Sequence, residues 1–311
     1  MQDRLASATG ALVRRFRRQR PLRGGSLIIT IFGDAIAPRG GAVSLGSLIR
    51  LAEPFGLTER LVRTSVARLA TEGWLVARRN GRLSEYRLTP GGAQRFAQAT
   101  ERIYAENPRT WDGRWTLLVL PPGTARERER IREELRWLGF GQIAPGLLAH
   151  AGMDLAQAKQ RLRELDAPDD VLVLEASTSD VAADRKLVEK GWDLQELARR
   201  YRRFVDAFQP IASAAGTRRI AQPQTAFIVR TLLIHEYRKI HLRDPLLPPA
   251  LLPPDWVGLQ AYELCRELYG KVFAAAEEFL SATAATIEHP LPPADPAAYA
   301  RFGGIPASCR D

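Results

Sequence analysis

The chain has 311 residues, with 45 Lys and Arg against 35 Asp and Glu, so its formal net charge is +10 and its length predicts two or three domains of roughly 100–200 residues. An apolar fraction of 45% excludes global disorder, and two cysteines, Cys265 and Cys309, exclude a disulfide scaffold or a cysteine zinc site and fit a reducing compartment. No run approaches the roughly 18 apolar residues of a membrane span, and the Arg-rich first 25 residues lack the apolar segment of a secretory signal, so a cytoplasmic protein is expected, with a transit peptide as the minor alternative.

Residues 1–25 read as a basic N-terminal arm, a short helix or flexible segment holding Arg14, Arg15, Arg17, Arg18, Arg20 and Arg23. An apolar helix opens at Ser26 (Leu27, Ile28, Ile31, Phe32, Ala35) and stops at Pro38 and Gly40-Gly41. Ser44–Glu53 predicts a short helix ended by Pro54 and Gly56. Thr58 is the N-cap of a second helix, Glu59 to Glu72, closed by Gly73. The hydrophobic period then changes. Trp74–Arg79 and Arg82–Leu88 flank Asn80-Gly81, the strongest short hairpin signal, and a helix from Pro90 to about Ala105 follows. This order, over residues 26–106, is that of a winged helix-turn-helix.

Asn107–Gly113 is a breaker-rich boundary. Beyond it the pattern predicts strand Trp115–Leu120, helix Ala125–Leu138, strands within Gly141–His150, helix Leu155–Leu165 and strand Val171–Ala176. That makes residues 107–180 a ferredoxin-like βαββαβ domain. From about Val181 the chain reads as a helical C-terminal domain, 181–311, for effector binding and dimerisation, with helices over roughly 185–208, 224–242 and 258–286. A Pro- and Leu-dense loop, Arg243–Trp256, packs between the last two, and the Pro/Ala-rich tail from His289 is expected to lie extended on the surface. The fold class is thus α+β and multidomain, without internal repeats.

Charge is segregated along this order. Residues 1–110 hold 19 Arg, no Lys and 8 acids, a net of +11, and the remainder nets −1. A GC-rich genome would favour Arg over Lys but would not segregate the charge. One domain is therefore expected to meet a polyanion. On the Glu59–Glu72 helix Val62, Val66 and Leu69 face inward, and Arg60, Arg63, Thr64, Ala67 and Arg68 face out. Arg suits guanine edges and phosphates, and the Thr or Ala methyl suits thymine. Arg78, Arg79, Arg82 and Arg87 bracket the hairpin turn, where like charges repel unless phosphates neutralise them. The DNA-binding candidates are Arg60, Arg63, Thr64, Arg68, Arg78, Arg79 and Arg82. The basic arm is a further candidate for phosphate or minor-groove contacts, with a disordered leader as its alternative.

Catalytic patterns are missing. His235-Glu236-Tyr237-Arg238-Lys239 places Lys239 where a zinc-protease helix needs its second His, and no phosphate-binding glycine loop or serine elbow stands at a strand-to-helix junction. The first middle-domain strand ends Leu120-Pro121-Pro122, without the Asp of metal-dependent ferredoxin-like nucleases. No catalytic residue, metal site or cofactor is expected. In the helical region Arg199, Arg203, Lys239 and Arg243, with Tyr237, Trp256 or Trp192 as an aromatic wall, would suit a small anionic ligand with an apolar tail. Plain amphipathic packing explains the same residues.

The chain resembles the PaaX family of transcriptional repressors of phenylacetate catabolism. The resemblance rests on Ser26-Leu27-Ile28 through Phe32-Gly33-Asp34, Pro38-Arg39-Gly40-Gly41, Glu59–Thr64 with Arg68-Leu69, and Glu72-Gly73-Trp74-Leu75. It continues through Trp111–Trp115, Gly139-Phe140-Gly141, Ala144-Pro145-Gly146, Tyr237-Arg238, Asp244–Pro248 with Leu251-Leu252-Pro253, and Arg301-Phe302-Gly303-Gly304. It implies a homodimer on a palindromic operator, released by an aryl-acyl-CoA thioester, typically phenylacetyl-CoA. An acyl-CoA-dependent enzyme with an appended DNA-binding domain is the alternative, and an RNA-binding or structural protein the third. The Arg14–Arg20 density has no counterpart in the resemblance.

Overall fold

Polar caps and glycines place the first elements. The computed structural model describes residues 2–19, 24–105, 110–122 and 124–305. It opens with helix α1 (Gln2–Arg17), whose Leu12 and Phe16 are buried, so the basic arm is helical up to Arg17; Arg20 and Arg23 lie outside the described residues. Helix α2 (Gly24–Ile31) is shorter than the hydrophobic pattern suggests. A π-helical turn, Phe32–Ile36, takes over and a 3-10 turn follows to Arg39. The wider turn sits where Asp34, in an otherwise apolar stretch, is turned into the interior.

Strand β1 (Ala42–Ser44) leads into α3 (Leu45–Ala52), where the Ser44 hydroxyl accepts from Ser47 N. Helix α4 (Glu59–Thr71) is capped by Thr58, as expected. Strands β2 (Leu75–Asn80) and β3 (Leu83–Leu88) then pair antiparallel, and β1 joins them in the order β1-β3-β2. Asn80 pairs with Leu83, so the two-residue loop is Gly81-Arg82, one position later than Asn80-Gly81. Gly81 carries the positive φ of +57°, and glycine at the first loop position is the preference of a type II′ hairpin. Helix α5 (Pro90–Tyr104) starts at the Thr89 cap.

The middle elements are β4 (Trp115–Val119), α6 (Ala125–Trp137), β5 (Gly141–Ala144), β6 (Leu147–Ala151), α7 (Leu155–Glu164) and β7 (Leu172–Ala176), the βαββαβ order read from the sequence. Their sheet is antiparallel in the order β5-β6-β4-β7. Leu118 and Leu148 on one face meet Ile131 and Leu135 of α6 and Ala158 and Leu162 of α7. Trp115, of opposite parity, donates to Asp184 of helix α8 (Val181–Gly191) at 2.7 Å. The single helix expected over 185–208 is two. The chain breaks at Trp192-Asp193, where the Asp193 carboxylate accepts from Glu196 N at 2.9 Å and caps α9 (Leu194–Ala215). Helices α10 (Pro223–His241), α11 (Val257–Thr283) and α12 (Pro296–Tyr299) follow, and a 3-10 turn, Arg301–Gly303, is the last element among the described residues.

Contacts divide the chain into two compact units, one of residues 1–106, 203–239 and 260–311, the other of 107–202 and 240–259. Residues 181–311 are therefore shared between the units. In the second unit Asp244 accepts from Tyr201 Oη at 2.7 Å and from Leu246 N at 2.8 Å, while Leu247, Leu251 and Leu252 are buried, which fixes the Pro-dense loop. In the first unit the tail is not an extended surface strand. Leu291, Phe302 and Ile305 are buried, and the Phe302 ring lies 5.1 Å from that of Tyr104 and 5.3 Å from that of Tyr269. Three large apolar residues in a Pro/Ala-rich segment are enough to anchor it, a signal the composition hides.

The core of the first unit holds a buried ionic network. Asp34 accepts from Arg230 Nε at 2.7 Å, Arg301 Nη1 at 2.9 Å, Tyr104 Oη at 2.7 Å and Tyr269 Oη at 2.8 Å. Glu277 receives Arg230 at 2.6 Å and also pairs with Arg39. Burial alone would raise the Asp34 carboxyl, but Arg230 and Arg301 outweigh it and hold it below the usual carboxylate range.

Candidate nucleic-acid interface

Helix α4 is positioned from beneath. Val62, Ser65, Val66 and Leu69 are buried, and the Thr58 hydroxyl accepts from Leu61 N, which fixes the first turn. At about 100° per residue this leaves Arg60, Arg63, Thr64 and Arg68 on one face, and all four are exposed. Arg63 pairs with Glu59 at 2.6 Å and Arg68 with Glu72 at 3.4 Å, both at i,i+4 spacing, while the Thr64 hydroxyl donates to Arg60 O. Exposed pairs of this kind contribute only about 0.3–0.5 kcal/mol, so they hold these guanidiniums weakly. Arg60 has no ion-pair partner among the described residues.

The ribbon behaves differently. Neighbouring residues in a strand point to opposite faces, so Arg78 and Arg79 do not share one. Arg78 stands opposite Glu85 and donates to Glu288 at 2.8 Å, and the buried Glu85 carboxylate accepts from Ile287 N at 3.1 Å. Arg78 thus faces two carboxylates. Arg79 lies on the other face with Ser84 across from it, and Arg82 is at the tip. Of the seven candidates, the structure gathers four on α4, leaves Arg79 and Arg82 exposed on the ribbon, and turns Arg78 toward acids. The alternation was available from the sequence; Glu288, more than 200 residues away, was not.

The candidate effector residues fall in both units. Arg203, Tyr237 and Lys239 belong to one unit, and Arg199, Arg243 and Trp256 to the other. Arg199 pairs with Glu196 at 2.9 Å and Lys239 with Glu236 at 3.2 Å. The Tyr237 ring is fully buried, 5.6 Å from that of Phe204, and Trp256 is buried with its ring edge-on to Tyr201 at 6.2 Å. Arg203 and Arg243 are exposed. His235 is a core residue: its Nδ1 lies 2.9 Å from Thr30 Oγ1, and Arg238 beside it donates to Thr30 Oγ1 and Ser26 O. Among the described residues no three His, Cys, Asp or Glu side chains are grouped to hold a metal ion, and no helix is long and apolar enough to cross a membrane.

Comparison with known proteins adds three family matches in chain order: PaaX-like protein over residues 23–92, PaaX protein central Cas2-like domain over 108–188, and PaaX-like protein C-terminal domain over 192–282. The transcriptional repressor PaaX of Escherichia coli (strain K12) is 38% identical over 292 residues, which covers 92% of this chain and 92% of that protein. A solved structure of the uncharacterized protein Rv0674 from Mycobacterium tuberculosis is 24% identical, covers 74% of this chain and 89% of that one, and superposes with a TM-score of 0.46.

Proposed function

The chain belongs to the PaaX family, and from that premise we propose that it is a transcriptional repressor that reads duplex DNA through α4 and is released by an aryl-acyl-CoA. The relative it matches almost end to end is a repressor rather than an enzyme. The observation that carries the DNA-binding reading is the exposed face Arg60-Arg63-Thr64-Arg68 on a capped, core-anchored helix followed directly by an antiparallel ribbon with Arg79 and Arg82. We read α3, α4 and the β2-β3 ribbon as a winged helix-turn-helix, with α4 as the recognition helix. A palindromic operator requires two copies, and Leu172 and Leu174, 57% and 46% exposed on edge strand β7, favour a self-associating face.

Release requires the effector to bind the non-DNA-binding arrangement more tightly, since equal affinity shifts nothing. The class of effector follows the family resemblance, with phenylacetyl-CoA the first to try. The test is fluorescence anisotropy on a labelled palindromic promoter duplex at fixed salt. Arg60→Ala is expected to cost about 1–3 kcal/mol and to relax preference over random duplex. Phenylacetyl-CoA is expected to lower the affinity. An Arg60→Ala variant that binds and discriminates like the parent refutes the recognition-helix assignment. Unchanged affinity across a panel of acyl-CoA thioesters refutes release by this class.

A further inference from the structure

We propose that α1 and the turn that ends it form a second DNA-contacting element, presenting Arg14, Arg15 and Arg18 to phosphates that flank the stretch read by α4; this rests on the DNA-binding reading above. The helix has a buried side and a basic side. Thr9, Leu12 and Phe16 form the buried side, with Phe16 edge-on to Phe55 at 6.3 Å and to His235 at 5.6 Å. At about 100° per residue, Arg14 and, in the turn just after the helix, Arg18 fall opposite that side, while Arg4 and Arg15 flank it, and all four are exposed. Because the apolar face is consumed by the core, α1 is not available as a membrane-surface helix.

The basic face is also unbalanced. Several Arg residues elsewhere on the surface stand near a Glu, as Arg63 does with Glu59, Arg132 with Glu129, Arg161 with Glu164 and Arg199 with Glu196, whereas Arg60, Arg79 and Arg82 of the proposed reading surface have no ion pair among the described residues. On α1 the one acid is Asp3, a helix length away, and Arg14, Arg15 and Arg18 have no ion-pair partner among the described residues. Arg14 and Arg18 are four apart and Arg15 and Arg18 three apart at the end of the helix, so like charges crowd one another there. Neutralisation by phosphates relieves this, and each neutralised phosphate releases a counterion.

Position completes the argument. Arg17 Nη2 donates to Pro54 O at 3.2 Å, in the turn between α3 and α4. The same guanidinium covers Gly56, where a Cβ would stand 2.4 Å from Arg17 Nε. Gly56 is four residues before Arg60, so at about 3.8 Å per step the Arg17 guanidinium is docked within roughly 15 Å of the backbone of the first Arg of α4. Phosphates of one strand rise by about 3.4 Å each, so that distance corresponds to about four or five phosphates.

The test uses the full chain with Arg14→Gln, Arg15→Gln and Arg18→Gln combined, on exposed positions whose loss leaves the urea midpoint unchanged. Affinity for a random-sequence duplex of about three helical turns is measured against salt. The slope of log affinity on log salt is expected to fall by about 0.9 per lost phosphate contact, about 2–3 in all, while the ratio of promoter to random affinity stays constant. On a duplex trimmed to about one turn the variant and parent are expected to converge. An unchanged slope on the long duplex overturns the proposal, as does a loss confined to single-stranded RNA of equal length. A parent chain that shows no duplex binding at all overturns the DNA-binding reading itself. A slope lost in Arg60→Ala but kept in the α1 variant places the failure on α1 alone.

Discussion

Replacing Asp34 by Ala tests whether the first unit is held together by its buried ionic network. The carboxylate is 3% exposed, and its partners Arg230 and Arg301 are 2% and 4% exposed. Three guanidiniums, Arg39, Arg230 and Arg301, share two carboxylates, Asp34 and Glu277, so removal of one leaves three charges facing a single acid. Breaking a buried pair on one side costs about 3–5 kcal/mol, because the remaining charge is stranded out of water. With a urea slope near about 3 kcal/mol/M for a unit of this size, the midpoint is expected to fall by about 1–2 M. Tyr104→Phe removes one hydrogen bond to the same carboxylate and is expected to cost about 1 kcal/mol, or about 0.3–0.5 M. Far-UV circular dichroism through a urea titration reads both. The sign with pH is fixed as well: a carboxyl held below its unfolded value stabilises above that value, and the contribution is lost only as pH falls through the lower folded value. If Asp34→Ala moves the midpoint no further than Tyr104→Phe, the network is not a main source of stability and the reasoning fails.

Burial, with Arg238 and Lys239 nearby, pushes the His235 imidazole well below its ordinary value, so the unfolded chain takes up the proton first as pH drops below about 6.5. The urea midpoint should therefore fall between pH 7 and pH 5, and His235→Gln should flatten that fall; an unaltered slope would contradict the assignment. Phe302→Ala, in a tail that sequence alone places on the surface, is expected to cost about 3–5 kcal/mol and to lower the melting temperature by several degrees, whereas a surface tail would show almost no change. On the ribbon, Arg79→Ala and Arg82→Ala are each expected to reduce the salt slope of DNA binding by about 1. Arg78→Ala, facing Glu85 and Glu288, should reduce it less, and equal effects for all three would show that the side of the ribbon is irrelevant.

What was legible in the sequence is what local chemistry specifies. Thr58 caps α4 as expected, and strands β2 to β7 follow their hydrophobic runs to within a residue or two, whereas the three-residue β1 is too short to show a period. The break at Trp192-Asp193 was missed because the apolar stripe continues across it, although Asp193 is itself a cap residue. The ionic network was invisible for a different reason: Asp34 and Arg230 are 196 positions apart and Asp34 and Arg301 are 267 apart, and nothing local relates them. Yet Phe32-Gly33-Asp34, Pro38-Arg39, Tyr237-Arg238 and Arg301-Phe302 are among the short blocks on which the family resemblance rests. The structure supplies the physical reason for them, since Asp34, Arg39 and Arg301 are in the network, Arg238 holds Ser26 and Phe302 fills the core.

That arrangement constrains the release proposed above. The segment leading to α4 shares a core with residues 203–239 and 260–305, and separating them would strand Arg230 and Arg301 at about 3–5 kcal/mol. Allosteric coupling energies are typically about 1–3 kcal/mol. In the proposed mechanism the effector therefore leaves this joint closed. It would instead shift the spacing of the two reading units of the proposed dimer, and because half-sites are read one helical turn or a multiple apart, a small change in that spacing would be enough to lose the operator. It follows that Asp34→Asn or Tyr104→Phe, in chains that remain folded, should weaken stability while leaving the fold-change in operator affinity caused by the effector within about twofold of the parent. A variant with unaltered stability and abolished release would place the joint in the switch after all.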